Sequence, residues 1–192
     1  MELSQQEPEI SAYLAAGDVI DHEHPVVREV ASRLRAGCSG AYTYAESAFA
    51  FVRDAIPHSF DTGGTRVTWR ASDVLALRTG ICYAKAHALA ALLRAEGIPT
   101  ALCYQKFEVL HGLVAVRLPG TSTWHRQDPR GGEPGRSAAF SVRGERLPFH
   151  PNPKSNELDS PVLYAEPHPA VLSALTSAHD LPYLSRTLPT EL

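Results

Sequence analysis

Hydrophobic positions recur at helical spacing through the first half of the chain and drift toward alternation after it. Val26, Val27, Val30, Ala31 and Leu34 share one face of a helix from about Pro25 to Leu34, which Cys38-Ser39-Gly40 interrupts. A second stripe, Ala45, Ala48, Phe49, Phe51, Val52 and Ile56, predicts a helix from about Thr43 to Ile56, stopped by Pro57. Phe60-Asp61-Thr62-Gly63-Gly64 then reads as an exposed loop. Ser72-Asp73 predicts the cap of a short helix running to Leu77, with Gly80 as its terminator. From about Cys82 to Ala95 nearly every position is apolar or small, the pattern of a buried central helix, and Gly97-Ile98-Pro99 is its stop signal.

Beyond Pro99 the period shortens toward two. Thr100 to Phe107, Gly112 to Leu118 and Thr123 to Asp128 are predicted strands, and Pro119-Gly120-Thr121-Ser122 joins the last two as a hairpin. If Leu118 lies opposite Thr123, Leu113 lies opposite Asp128, and His111 and Asp128 become diagonal neighbours on one sheet face. From Arg130 onward glycine and proline are dense (Gly131-Gly132-Glu133-Pro134-Gly135, then Pro148, Pro151, Pro153, Pro161, Pro167 and Pro169), and a short helix at about Ala170 to Ser177 is the one element expected there. N-terminal helices at about 20–57, a core at about 71–130 and a wrapping tail at about 131–192 make one α+β domain spanning 1–192.

Size and charge narrow the function classes. A chain of 192 residues that is 44% hydrophobic and 20% charged can bury one real core, and two full domains are not expected. The net charge of −3, with Lys and Arg scattered, argues against a nucleic-acid partner. The first residues are acidic where a signal peptide would be basic, and no apolar run approaches the roughly 18 residues of a membrane helix. A cytoplasmic protein without a membrane partner is expected. Cys38, Cys82 and Cys103 lack metal-type spacing and are expected as free thiols. His22-Glu23-His24 is the nearest approach to a chelate, in a loop before Pro25; no metal and no cofactor are expected.

Thr79-Gly80-Ile81-Cys82 sets one of these thiols where a turn opens a helix. Unpaired backbone N–H groups and the positive end of the helix dipole favour the thiolate there, and the thiolate is the nucleophilic form. A base must still reach the sulfur, and the imidazole of that base must be held by an acceptor on its other nitrogen. His111 and Asp128 are the candidates for these two roles. Cys82 N–H is the natural oxyanion donor, with the side chain of Gln105 or Trp69 as a second, and Tyr83 is placed to line the entrance. His87, five residues along the same helix, points away and reads as structural or surface. Lys85 reads as a solvated or groove-edge cation, and Glu166 as a residue that borders the cleft.

Ala71-Ser72-Asp73-Val74-Leu75, then Thr79-Gly80-Ile81-Cys82 opening a helix that ends in Gly97-Ile98-Pro99, then His111 and Asp128-Pro129, resemble the transglutaminase-like superfamily of papain-type cysteine enzymes. Further motifs are similar to those of a bacterial branch: Phe51-Val52-Arg53-Asp54-Ala55-Ile56-Pro57-His58-Ser59, Gly80-Ile81-Cys82-Tyr83-Ala84-Lys85, Cys103-Tyr104-Gln105, His111-Gly112-Leu113, Asp128-Pro129-Arg130-Gly131 and Tyr164-Ala165-Glu166-Pro167. The resemblance spans roughly Ile20 to Val171. It implies an α+β fold with the cysteine on a central helix packed against an antiparallel sheet that carries His and Asp, with Cys82 as nucleophile, His111 as base and Asp128 as orienting carboxylate. The implied activity is acyl transfer on a peptide or protein amide: hydrolysis first, protein-glutamine transamidation second. Many members carry an aromatic residue shortly after the histidine, where this chain has Gly112-Leu113-Val114. The alternatives are a non-catalytic binding or scaffold protein that kept the fold, and a metal protein built on His22, His24 and a cysteine.

Overall fold

In the computed structural model, which describes residues 1–131 and 138–192, each helix of the first half begins and ends on an identifiable contact. α1 (Pro25–Arg35) opens with His24 Nδ1 accepting the Val26 N–H and a proline in the first turn. α2 (Ala41–Ala55) opens after Gly40, whose N–H is taken by Thr43 Oγ1 at 3.1 Å. The cap of α3 (Ala71–Leu77) is supplied from a distance: Asp21 Oδ1 accepts the Ser72 N–H at 3.0 Å, while Ser72 and Asp73 lie inside the helix instead of capping it. Gly80 does not end α3 either. Arg78 does so, in the left-handed region at φ 53°, with its guanidinium 4.6 Å from the centroid of the Phe51 ring. Gly80 is needed for space, since a Cβ there would stand 3.0 Å from Ala84 Cβ and 3.3 Å from Thr68 Oγ1.

α4 (Cys82–Ala95) is the central helix the hydrophobic pattern predicts, with every residue from Cys82 to Arg94 buried. Gly97, at φ 71°, ends it. His87 is buried, not on the surface, with Nδ1 2.8 Å from Trp69 O, and burial holds its pKa down to about 4, so the ring is a neutral structural element. Arg94, at the other end, donates to Thr100 O, Ala15 O and Ala165 O, tying the N-terminal segment and the tail to the helix.

The strands in chain order are β1 (Ser4–Gln5), β2 (Thr100–Lys106), β3 (Leu110–Val116), β4 (His125–Gln127), β5 (Leu158–Asp159) and β6 (Val162–Leu163). An antiparallel sheet runs β4-β3-β2-β5, and β1 pairs with β6 in parallel. Val116 lies opposite His125 and Val114 opposite Gln127, the register expected of the hairpin, although β4 is only three residues long. One face of the sheet (Leu102, Tyr104, Val114, Val116) packs with α4 into the main core. The other (Ala101, Cys103, Leu113, Ala115) meets Tyr13, Leu147 and Leu163. No helix among the described residues is long and apolar enough to cross a membrane.

The tail holds more structure than the single helix expected. Besides α5 (Pro169–Ser177) it contributes β5, β6, a 3-10 turn at Pro153–Ser155 and α6 (Leu181–Thr187). Two-residue strands have no period of their own to read; they take their conformation from β2 and β1. α6 did carry a signal, Asp180 followed by Pro182, and Asp180 Oδ1 accepts the Tyr183 N–H at 2.7 Å. Tyr164 bridges Leu102, and Ala165 O receives Arg94, so this motif docks the tail; Glu166 stands beside Gly17 rather than at the cleft. Gly132-Glu133-Pro134-Gly135 fall outside the described residues.

The junction of α4 with β3 is tight. A Cβ on Gly112 would lie 2.6 Å from Tyr83 Cδ1 and 3.3 Å from Tyr83 Cα, and the Tyr83 hydroxyl donates to Leu110 O. The ring of Tyr83 fills the volume over a residue that has no side chain. Gly112→Ala is therefore expected to lower stability by about 1–3 kcal/mol through overpacking. A denaturation midpoint equal to that of the parent would show that the contact is soft.

Candidate active site

Cys82 is the first residue of α4, 9% exposed, at the floor of a cleft of about 650 Å³. Phe60, Phe107, Phe149 and Leu188 make its walls apolar, and His58, His111, Glu108, Glu157 and Arg130 supply the polar groups. Tyr83 lines it as well. His111, the second residue of β3, reaches the same cleft because the sheet ends beside the N-terminus of α4, where Gly112 lets the two backbones close up.

His111 Nε2 is 2.8 Å from Asp128 Oδ2, which leaves Nδ1 for the thiol. Asp128 follows the last residue of β4 and is buried; its other oxygen accepts the Arg130 N–H at 2.9 Å. One carboxylate thus shapes the Asp-Pro turn and holds the imidazole. Phe149 meets the ring edge-on with centroids 5.4 Å apart, so the tail packs against the imidazole.

The electrostatics follow from burial and pairing. Burial pushes the Cys82 thiol up, but the charge of His111 and its hydrogen bond, followed by those of His58, outweigh burial and hold the thiol below its ordinary range. Burial pushes His111 down, and the Asp128 carboxylate, then the Cys82 thiolate, drive it well above the ordinary imidazole range. The two shifts describe one thiolate–imidazolium pair and titrate together. Cys103 shows the contrast: buried without such partners, its thiol is pushed far up. Cys38 donates to Leu34 O, and all three cysteines are free.

Two of the oxyanion candidates lie elsewhere. The Gln105 amide donates to Asp159 Oδ1 at 2.8 Å and to Phe149 O, inside a network with Arg126, and does not line the cleft. Trp69 is stacked under Arg70 at 4.2 Å, with its carbonyl against His87. The Cys82 N–H is itself engaged: it donates to His58 Nε2 at 3.1 Å. His58 is the site residue the sequence reading passed over, and the available signal was its position directly after the Pro57 stop, inside one of the recognised motifs.

Lys85 is no groove-edge cation. It is buried, and its ammonium donates to Ile56 O at 2.6 Å, Arg53 O at 3.2 Å and Arg130 O at 3.3 Å, which ties the end of α2 to the turn after Asp128. His22 Nε2 is engaged with Leu14 O, and His24 caps α1. Among the described residues no three His, Cys, Asp or Glu side chains gather as a metal-binding group.

The model of the transglutaminase-like superfamily matches residues 28–129, a stretch that runs from within α1 through β4 and holds all three of Cys82, His111 and Asp128. The chain belongs to the transglutaminase-like superfamily. A candidate cysteine protease from Cytophaga hutchinsonii has a similar structure, with a TM-score of 0.55 at 18% identity over 69% of this chain and 46% of that one. The periplasmic domain of TgpA from Pseudomonas aeruginosa matches at a TM-score of 0.47 and 22% identity, over 61% of this chain and 46% of that one. The superfamily member described here thus spans under half the length of either structure. No curated protein matches its sequence.

Proposed function

We propose that this transglutaminase-like protein is a cysteine-dependent acyl-transfer enzyme acting on peptide or protein amides, with Cys82 as nucleophile, His111 as base and then acid, and Asp128 as the carboxylate that orients the imidazole. The observation that carries the reading is a helix-start thiol in an open cleft, held below its ordinary range by a histidine whose far nitrogen is 2.8 Å from a buried carboxylate. The thiolate attacks the amide carbonyl, an S–C bond forms, and the carbonyl electron pair moves to oxygen. Collapse re-forms C=O and breaks C–N, and the amine leaves with the proton held by His111. Water or an amine then resolves the thioester. Hydrolysis is the first reading and transamidation the second, since both share the acyl-enzyme. Three free thiols support a reducing, cytoplasmic setting.

Alkylation by iodoacetamide across a range of pH, read at each cysteine by mass spectrometry, tests the reading. Cys82 is expected to react well below the ordinary thiol range, near 8.5, and faster than Cys38 or Cys103. Equal labelling of Cys82 and Cys38 would favour a non-catalytic binding or scaffold protein. Incubation with amide libraries, with and without a primary amine, then separates hydrolase from transamidase by the fate of the Cys82 adduct.

A further inference from the structure

Besides the sulfur, the imidazole and the carboxylate, the cleft holds a second histidine with a carboxylate behind it. His58 Nε2 is 3.1 Å from the Cys82 nitrogen, and its Nδ1 is buried with no hydrogen-bond partner among the described residues, 3.7 Å from Asp61 Oδ1. Asp61 is held in turn by Arg130 at 3.2 Å. The ring itself is 7% exposed, lines the cleft, and its position is fixed by the Ser59 N–H to Gly80 O bond at 3.2 Å. The order carboxylate, imidazole, Cys82 repeats that of Asp128, His111, Cys82, but on the backbone side of the cysteine.

We propose that His58 is the second oxyanion donor of this site, its Nε2–H and the Cys82 N–H converging on the substrate carbonyl oxygen as the S–C bond forms. The proposal rests on the acyl-transfer reading above. In the unliganded site the two nitrogens satisfy each other, with Cys82 N–H donating and the bare Nε2 accepting. Once Nε2 carries a proton, with Nδ1–H facing Asp61, neither nitrogen can accept, and both become donors at adjacent positions beside the sulfur. The carbonyl oxygen that gains the electron pair is the acceptor both then lack, and collapse of the intermediate returns that pair to C=O. Asp61 offsets the charge of the ring, as Asp128 does for His111. The other charged or titratable groups that line the cleft with His58 are Cys82 and Tyr83 on α4, Glu108 just before β3, His111 on β3, Arg130 after β4, and Glu157 in the tail.

Two reactions at the same sulfur separate this role from others. Alkylation by iodoacetamide needs the thiolate alone, whereas acylation by p-nitrophenyl acetate also creates an oxyanion. In His58→Phe, which keeps a ring and loses both nitrogens, acylation of Cys82 is expected to fall about 100-fold. Alkylation should fall only several-fold. His58→Gln, whose amide can donate without being protonated, should recover most of the acylation loss. Equal losses of acylation and alkylation in both variants would reduce His58 to support of the thiolate or of the fold and overturn the proposal. Partial unfolding would also lower acylation more than alkylation, and recovery in His58→Gln separates the oxyanion role from it. If wild-type Cys82 is neither alkylated nor acylated faster than Cys38, the acyl-transfer reading falls and this proposal with it. Fast wild-type reactions with no excess acylation loss in the variants remove the role of His58 alone.

Discussion

Replacing His111 with alanine is expected to slow acylation of Cys82 by about 1,000-fold or more, a loss of about 4 kcal/mol of transition-state stabilisation. Two effects compound. Without the imidazolium, burial of the sulfur is no longer outweighed, so the thiol returns toward or above its ordinary range and little thiolate remains near neutrality. The leaving amine also loses its proton donor. Asp128→Asn should cost less than His111→Ala, because an amide can still hold the ring through Nε2, although it no longer stabilises the charge on it. In the wild type the productive pair exists between the lowered thiol and the raised imidazole. Acidification protonates the sulfur and alkalinisation removes the ring proton, so the rate profile is a bell. Its acid limb lies below the ordinary thiol range and its alkaline limb above the ordinary imidazole range. Rates measured by mass spectrometry across that range check both limbs. A profile that only rises through the ordinary thiol range would mean that no such pair forms.

The parts of this site that the sequence exposed are those set by local patterns. An apolar run opened by Gly80-Ile81-Cys82 determines both the central helix and the position of the thiol on it. The alternation of β3 and the Pro119-Gly120 turn determine the hairpin register, and with it the diagonal relation of His111 and Asp128. What stayed hidden depends on contacts across long stretches of chain. Gln105 is adjacent to His111 in the sheet register, yet its amide is drawn to Asp159 by a network whose members lie 21 to 54 residues away. Asp21 caps a helix 51 residues downstream, which no reading of Ser72-Asp73 could reveal. His58 and Lys85 show the same limit. A histidine after a proline and a lysine on a helix are ordinary surface residues until α2 ends directly beside the start of α4.

That junction carries the second large expected effect. Lys85→Met should destabilise the protein by about 2–5 kcal/mol and slow Cys82 chemistry in whatever material still folds. The two opposing terms can be sized. Burial lowers the Lys85 pKa from the ordinary 10.5 to about 8, so keeping the ammonium inside costs about 3 kcal/mol, which methionine would recover. Against this stand three carbonyl acceptors, Ile56 O, Arg53 O and Arg130 O, that the ammonium satisfies together. A carbonyl left without a donor costs about 1–3 kcal/mol, a loss that methionine incurs at all three and that either protonation state of lysine avoids in part. The sum favours lysine. Because Arg130 O is one of the three, the loss also loosens the turn that fixes Asp128 behind His111. The pH dependence gives an independent check. Between about pH 8 and 10.5 the unfolded chain still binds the lysine proton while the folded chain has lost it, so the contribution of this group makes wild-type stability rise across that window. Lys85→Met should lack that rise. Denaturant melts of both proteins at pH 7 and pH 10 measure the difference, and parallel curves would place the ammonium in contact with water rather than at the buried end of α2.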